Sequence, residues 1–82
     1  MSAQELGVVR PELSVLARVR AASAALGPSE RKVAQMVLSR PDEVVEWSTA
    51  ELADAAGTST ATVIRACQSL GFRGFQHLRL DL

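Results

Sequence analysis

Apolar residues recur at intervals of three and four through most of this 82-residue chain. That spacing places side chains on one face of an α-helix, so it predicts a series of amphipathic helices. No stretch shows the alternation of apolar and polar residues, bounded by turn residues, that is typical of strands. The sequence therefore predicts an all-α fold, a small helical bundle of about five helices over residues 12–82, preceded by a flexible segment over residues 1–11.

The first two helices are predicted from turn residues as well as from periodicity. The first helix is expected over residues 12–26 and ends at Gly27, since glycine commonly follows a helix C-terminus. Ser29 is expected to cap the second helix, over residues 29–39, with Glu30 favourably placed near its N-terminus. The residues expected on the inner faces of these helices are Leu13, Leu16, Ala17, Val19, Leu26, Val33, Ala34, Val37 and Leu38.

Aromatic residues mark the remaining connections. After Pro41, a short turn is expected to bring Trp47 to the core. Gly71 precedes a tight bend that contains Phe72 and Phe75, two rings expected to close the base of the bundle. A final helix is predicted to begin near Phe75. Because the chain stops within that helix without a C-cap, we expect the natural protein to continue.

Residues 48–71 predict two short helices joined by a tight turn. Ser48 and Glu51 have the spacing of a capping box at the start of the first helix. Gly57 supplies the left-handed residue that ends that helix, and Ser59 can cap the next one. Two helices joined by a short turn containing glycine form a helix-turn-helix, whose second helix enters the major groove of DNA.

Small and apolar side chains are predicted where the two helices of this motif cross. They give each helix an inner face with helical periodicity. The residues expected at the crossing or on the inner faces are Leu52, Ala53, Ala55, Ala56, Val63, Ala66, Cys67 and Leu70. Cys67 is the only cysteine, and its place on an apolar face predicts a buried thiol rather than a nucleophile or a metal ligand.

The opposite face of the second helix carries residues suited to reading base pairs. Arg65 can donate two hydrogen bonds to guanine, and Gln68 can pair with adenine. Thr60 and Ala61 are placed to contact a thymine methyl group near the N-terminal end of the helix. Each of these residues alone is more often an ordinary surface residue. Their combination with two caps, a glycine turn and paired apolar faces favours DNA binding.

Phosphate contacts are expected from the hydroxyls of Ser59 and Thr62 and from free N–H groups at the start of the same helix. The formal net charge is zero, but residues 42–54 hold five acids and no base, whereas residues 55–80 hold three arginines and no acid. Because phosphate neutralisation supplies most non-specific affinity, a monomer with so few cations should bind DNA weakly. A homodimer, which doubles the contacts, is therefore expected.

The sequence lacks the residue patterns that other functional classes require. No paired carboxylates, nucleophile–base arrangement, phosphate-cradling loop or metal-ligand cluster is found from spacing, so neither catalysis nor a cofactor or metal is predicted. His77 stands alone and is expected at the surface. No apolar run could span a bilayer and no signal peptide is found, so no membrane contact is predicted. With a single cysteine, these features predict a cytoplasmic protein.

Taken together, these segments resemble the N-terminal domain of RpiR-type bacterial transcription regulators, from about Leu26 to Leu82. Each segment alone is weak evidence for this family, but the order and spacing of the segments together are specific to it. The segments that carry the resemblance are LGPSERKVA at 26–34, RPDEV at 40–44, S followed by ELA within 48–53, GTS at 57–59, ATVIR at 61–65 and LGFRGF at 70–75.

The resemblance implies a homeodomain-like helical domain that binds double-stranded DNA and is followed by a sugar-isomerase-type domain. That second domain binds a phosphosugar effector, and the regulators act as dimers or higher oligomers on palindromic operators of sugar-metabolism genes. Ser59, Thr62 and Arg65 match the family's S-x-x-T-x-x-R signature. Arg73 occupies the basic position in the bend, where a phosphate contact is expected.

The chain departs from the family pattern within the second helix of the motif. Ala66 stands where the family often has an aromatic residue, which implies local repacking. Gln68 and Ser69 stand where a basic pair is usual. The second departure bears on DNA affinity and on operator preference.

A different class of function stays open from the residues alone. The chain could be a helical protein–protein interaction or dimerisation module that does not bind DNA. Its neutral charge is compatible with that reading, and its Ala-rich first helix could pack closely against a partner. Phosphate contacts demand a steep salt dependence of binding, whereas a protein partner does not, so salt dependence distinguishes the two.

Overall fold

The structure, a computed structural model, describes the backbone of residues 11–82 and the side chains from Val15 onward. Every regular element in that part of the chain is a helix, which confirms the predicted all-α bundle. The helices are α1 (Pro11–Ser23), α2 (Pro28–Ser39), α3 (Pro41–Val44), α4 (Thr49–Ala56), α5 (Thr60–Ser69) and α6 (Phe75–Asp81). The predicted flexible segment over residues 1–11 lies, apart from Pro11, outside the described residues, as does the side chain of Leu13.

α2 lies at the centre of the bundle, where it packs against α1, α3, α4 and α5. α6 completes the bundle by packing against α1 and α5. The side chains with no accessible surface are Val19, Val33, Ala34, Val37, Val44, Leu52, Val63, Ala66, Cys67 and Leu78. Removal of this apolar surface from water is the main interaction that stabilises the fold.

α1 differs from its prediction both in its end and in its buried face. It ends at Ser23, and Leu26 reaches the core from the turn that follows. Val15 and Val19, one helical turn apart, are the buried positions of α1, whereas Ala17 is exposed. Position 17 turns away from the core because residues two apart lie on different faces of a helix.

Three further positions are less buried than predicted. Ala55 is exposed, because a residue two positions along α4 from the buried Ala53 turns away from the core. Leu16 and Leu38 are half-buried and pack against the edge of the core. The other inner-face positions predicted for α2, α4 and α5 are confirmed.

α2 begins at Pro28 and not at a serine cap, so the capping role predicted for Ser29 is wrong. Gly27 is the N-cap residue, and no side chain caps the helix. Proline is favoured at the first helical position because its fixed φ suits the helix and its missing N–H would have no partner there. Arg31 secures the connection from α1, since its guanidinium donates to three backbone carbonyl oxygens between residues 23 and 26, at 2.9–3.3 Å.

The turn predicted after Pro41 contains a short helix, α3, which brings the number of described helices to six. Val44 on α3 is fully buried, and Trp47 is half-buried against the core, as predicted for a core anchor. The backbone carbonyl of Trp47 accepts a hydrogen bond from Arg79 Nη1 at 3.0 Å. This contact ties α6 to the segment that leads into α4.

The helix-turn-helix has the predicted caps. The N–H of Ser48 donates to Glu51 Oε1 at 2.8 Å, and the N–H of Glu51 donates to Ser48 Oγ at 3.1 Å, which together form the capping box. Gly57 has φ +72°, the left-handed conformation that ends α4. Ser59 Oγ accepts from the N–H of Thr62 at 3.1 Å and so caps α5.

Cys67 lies on the inner side of α5 with no accessible surface. Burial raises the pKa of the Cys67 thiol from its ordinary value of 9.0 to about 11. A thiol in this state is a poor nucleophile because the reactive form is the thiolate. The predicted reading of Cys67 as a small buried core residue is therefore confirmed.

We expect Gly57→Ala to lower the free energy of unfolding by about 1–2 kcal/mol, because an L residue in the left-handed region clashes with its own backbone. A Cβ at this position would meet no atom within 4 Å apart from its chain neighbours, so no clash with the rest of the fold adds to the backbone strain. Gly57→Asn should lose less, since asparagine tolerates this conformation better. Urea unfolding measures both variants, and equal stability of Gly57→Ala and the wild type would contradict the proposed turn geometry.

The buried thiol of Cys67 also predicts a pH dependence of stability. The unfolded thiol ionises near pH 9.0 and the folded one near pH 11, so the contribution is fully present below pH 9 and is lost as the pH rises toward 11. The free energy of unfolding should fall more steeply over this window in the wild type than in Cys67→Ala. The matched variant corrects for other groups that titrate in the same range, and identical pH profiles would show that the folded thiol is not shielded.

Candidate nucleic-acid interface

α5 has one side in the core and one side toward solvent. Its inner side rests on α2 and α4 and carries Thr62, Val63, Ala66 and Cys67, all of them buried. The exposed residues form the surface that we call the outer face, namely Thr60, Ala61, Ile64, Arg65, Gln68 and Ser69. All four residues predicted to contact bases therefore lie together on the outer face, with the exposed Ser59 at its N-terminal end.

Thr62 is only 5% exposed, whereas the sequence analysis assigned its hydroxyl to a phosphate contact. Position 62 shares the inner side of α5 with position 66, about one turn further on. The Thr62 hydroxyl lies 3.0 Å from Ser59 Oγ and accepts a hydrogen bond from Arg65 Nη2 at 3.2 Å. Thr62 thus links the cap of α5 to Arg65 from below the surface.

Arg65 is held on the outer face by two neighbours. Besides the hydrogen bond to Thr62, its Nε lies 3.7 Å from a carboxylate oxygen of Glu30 on α2. The side chain of Arg65 is 60% exposed, while that of Glu30 is 24% exposed. The second oxygen of Glu30 accepts from Ser69 Oγ at 3.4 Å. An acidic residue of α2 therefore contacts two residues of the outer face.

The contact of Glu30 with the outer face is the part of the site that sequence reasoning missed. Glu30 was expected only to favour the N-terminus of its own helix, and it is 39 positions from Ser69. Helical periodicity reports which residues share a face, but it does not report which faces meet. The crossing of α2 and α5, which tertiary packing determines, brings these residues together.

The bend after α5 is held by polar contacts to its backbone. Gln68 Nε2 donates to the carbonyl oxygen of Arg73 at 3.4 Å, and the N–H of Arg73 donates to His77 Nδ1 at 3.0 Å. The side chain of His77 is 43% exposed, so it lies at the surface as expected, and its ring packs edge-on against Phe72 with centroids 5.2 Å apart. Arg73 itself is exposed, next to the C-terminal end of the outer face.

Aromatic residues fix the same bend from the core side. Phe72 and Phe75 are 3% and 4% exposed, which confirms their predicted burial. The guanidinium of Arg18 on α1 lies over the Phe72 ring, 4.5 Å from its centroid, and that of Arg79 lies 5.7 Å from the centroid of Phe75. These cation–π contacts reinforce the packing of the rings. The position of Arg73 thus depends on α1 and α6 as well as on α5.

Neither a metal centre nor a membrane span is found among the described residues. Within that part of the chain, no group of three or more His, Cys, Asp or Glu side chains could hold a metal ion. The described helices are all too short or too polar to cross a membrane.

The fold and the interface have counterparts among known proteins. The family described as "Helix-turn-helix domain, rpiR family" matches residues 13–82. The chain is 44% identical over 68 residues to the HTH-type transcriptional regulator TTE0211 of Caldanaerobacter subterraneus subsp. tengcongensis, covering 83% of this chain and 24% of that protein. It is 42% identical over 57 residues to the HTH-type transcriptional regulator HexR of Pseudomonas aeruginosa, covering 70% of this chain and 20% of that protein.

A solved structure is similar in both fold and sequence. The crystal structure of the N-terminal domain of the transcriptional regulator YbbH from Bacillus subtilis matches with a TM-score of 0.78 and 40% identity, covering 82% of each chain. The present chain spans only about a quarter or less of the length of the curated relatives that it matches. The family match covers most of this chain, which therefore belongs to the RpiR family of helix-turn-helix transcription regulators and is a DNA-binding domain of that family.

Proposed function

We propose that this domain binds a specific sequence of double-stranded DNA by placing the outer face of α5 in the major groove. The observation that carries the proposal is the position of Arg65. Its side chain is 60% exposed on the second helix of the motif, yet it is held by Thr62 and Glu30. A guanidinium that faces solvent in a restrained orientation suits bidentate hydrogen bonding to guanine.

The outer face divides into residues for bases and residues for phosphates. On this proposal Arg65 reads guanine and Gln68 reads adenine, while Thr60 and Ala61 contact thymine methyl groups. Gln68 has one amide hydrogen directed to the backbone of the bend, which leaves its oxygen and its second hydrogen for a base.

Phosphate contacts are assigned to the two ends of α5. Ser59 and the first N–H groups of the helix lie at one end, where the helix dipole favours an anion. Arg73 lies at the other end, on a bend fixed by packing. Because Thr62 is buried, we assign it to positioning Arg65 and the cap, in place of the direct phosphate contact that the sequence suggested.

We further propose that the domain acts as a homodimer on a palindromic operator. The formal net charge of the chain is zero, so a single copy offers few cations for phosphate neutralisation. Exposed alanines on α1 and the turn after it support α1 as the dimer seam, since small side chains allow helices to approach closely. These exposed alanines are Ala17, Ala21, Ala24 and Ala25.

For the whole protein we propose regulation of sugar or phosphosugar metabolism genes in the cytoplasm. The support is the family resemblance, in which a sugar-isomerase-type domain that binds a phosphosugar follows the DNA-binding domain. The matched region is about a quarter or less of the regulators named above, which leaves room in those proteins for such a domain. On this proposal the present domain has no catalytic role and holds no cofactor.

The experiment that tests DNA binding begins with selection. The chain selects duplexes from a randomised library of about 25 base pairs, long enough for two half-sites one helical turn apart. Fluorescence anisotropy then measures binding to a selected duplex and to a scrambled duplex at two salt concentrations. A preference for the selected duplex, with a steep salt dependence, is the expected result. If the folded chain prefers no duplex even at low salt, the proposal is wrong and a protein–protein interaction module is favoured.

Arg65→Ala is expected to weaken binding to the selected duplex by about 1–3 kcal/mol and to relax the preference at one base pair of each half-site. Arg40→Ala is the matched control, because Arg40 is also an exposed arginine paired with a glutamate, Glu43, at 3.3 Å. Arg40 lies between α2 and α3, away from the outer face, so its loss should not change the base preference. Equal effects of the two variants would remove Arg65 from the proposed interface.

Arg73→Ala is expected to behave differently from Arg65→Ala. A phosphate contact carries no sequence information, so affinity for selected and scrambled duplexes should fall by the same factor. The slope of log K against log salt should become shallower by about 1, because one fewer counterion is released. A change in base preference in this variant would contradict the assignment of Arg73 to a phosphate.

A further inference from the structure

We propose that Glu30 on α2 is a specificity-determining residue of the interface. It restrains Arg65 and reduces the non-specific attraction of Arg65 to phosphates. The inference rests on the proposed DNA binding by the outer face, and it concerns a residue outside the helix-turn-helix itself.

The carboxylate of Glu30 bridges two residues of α5. One oxygen faces Arg65 Nε at 3.7 Å, and the other accepts from Ser69 Oγ at 3.4 Å. The Glu30 side chain is 24% exposed, against 57% for Glu43 in its own pair with an arginine. Glu30 is therefore partly shielded by its neighbours and places a negative charge beside the outer face.

This arrangement occupies one edge of the Arg65 guanidinium and leaves the other free. Nε faces Glu30, and one hydrogen of Nη2 is donated to Thr62. Among the described side chains, no partner engages Nη1, so both of its hydrogens and the second hydrogen of Nη2 can point to DNA. Nη1 and Nη2 together can still form a bidentate contact with guanine.

The charge of Glu30 affects DNA binding in two ways. It partly neutralises Arg65 and repels nearby phosphates, so any DNA sequence gains less from this cation. It also limits the rotamers of Arg65, so less conformational entropy is lost when the correct base is bound. The first effect lowers non-specific affinity and the second favours the matched base, so both raise the ratio between specific and non-specific binding.

Glu30→Gln tests the inference, because glutamine keeps the shape and can still accept from Ser69 while the negative charge is removed. Fluorescence anisotropy measures binding to a duplex selected by the wild-type chain and to its scrambled counterpart. We expect affinity for the scrambled duplex to rise about 3- to 10-fold and the selected-to-scrambled ratio to fall by a similar factor. The salt slope for the scrambled duplex should steepen by about 1 as Arg65 becomes free to neutralise a phosphate.

Glu43→Gln is the matched control, because it makes the same change of net charge and also removes an arginine–carboxylate pair. It should raise binding to both duplexes equally and leave their ratio unchanged. A second comparison places Glu30→Gln in the Arg65→Ala background, where the ratio should no longer respond. Thermal unfolding of each variant confirms that the fold is retained, and a purely structural role of Glu30 would change the unfolding temperature without changing the ratio or the salt slope.

The outcomes separate this inference from the proposal on which it rests. A wild-type chain that prefers no selected duplex contradicts the proposed DNA binding and this inference with it. If Glu30→Gln changes the wild-type preference no more than Glu43→Gln does, only the inference about Glu30 is contradicted. The same conclusion follows if Glu30→Gln lowers the ratio equally when Arg65 is absent, because the effect would then not act through the guanidinium.

Discussion

The outer face of α5 has a fixed orientation because the opposite side of the helix is buried in the bundle. Val63, Ala66 and Cys67 have no accessible surface, so α5 cannot turn about its axis without exposing apolar groups or opening a cavity. The turn at Gly57 and the cap at Ser59 then set where the helix begins. Packing on one side therefore decides which polar residues are presented to solvent on the other.

Polar contacts refine this orientation without supplying much stability. From Ser59 the contacts run to Thr62, to Arg65, across to Glu30 on α2 and back to Ser69 on α5. The ion pair in this network, in which the side chain of Arg65 is 60% exposed, adds little to the free energy of folding. The effect of these contacts is to restrict the rotamers of Arg65. This restriction is important only where the direction of its N–H donors is important. On the proposed mode of DNA binding, the network therefore serves recognition, while the apolar core serves the fold.

Most of the fold could be predicted because its signals are local. Capping at Ser48 and Ser59 depends on residues three positions away, and the burial of Val63 and Cys67 follows from helical period alone. The cap predicted at Ser29 failed because Pro28 competes for the start of the same helix and takes its first position. Local rules conflict in such places, and the sequence alone does not rank them.

The candidate site could be predicted only in part, because it depends on which helix faces meet. Arg65 and Gln68 were found from their place on the polar side of a helix. The burial of Thr62 was not predicted, because helical spacing alone does not decide whether a residue at the border between the polar and apolar faces is buried. The link to Glu30 was missed because it joins two helices far apart in the sequence.

The contact between Glu30 and Ser69 gives a physical meaning to one departure of this chain from the family pattern. The family often has a basic residue where Ser69 stands, and a cation there would share the carboxylate of Glu30 with Arg65. In this chain the partner at position 69 is a neutral hydroxyl, so among the described side chains Arg65 is the only cation that pairs with Glu30. Without a basic residue at position 69, one attraction to phosphate is absent. The charge of Glu30 then acts on Arg65 alone, the residue proposed to read guanine. On the proposed mode of DNA binding, a lower general affinity and a tighter restraint on Arg65 are therefore two expected consequences of a serine at position 69.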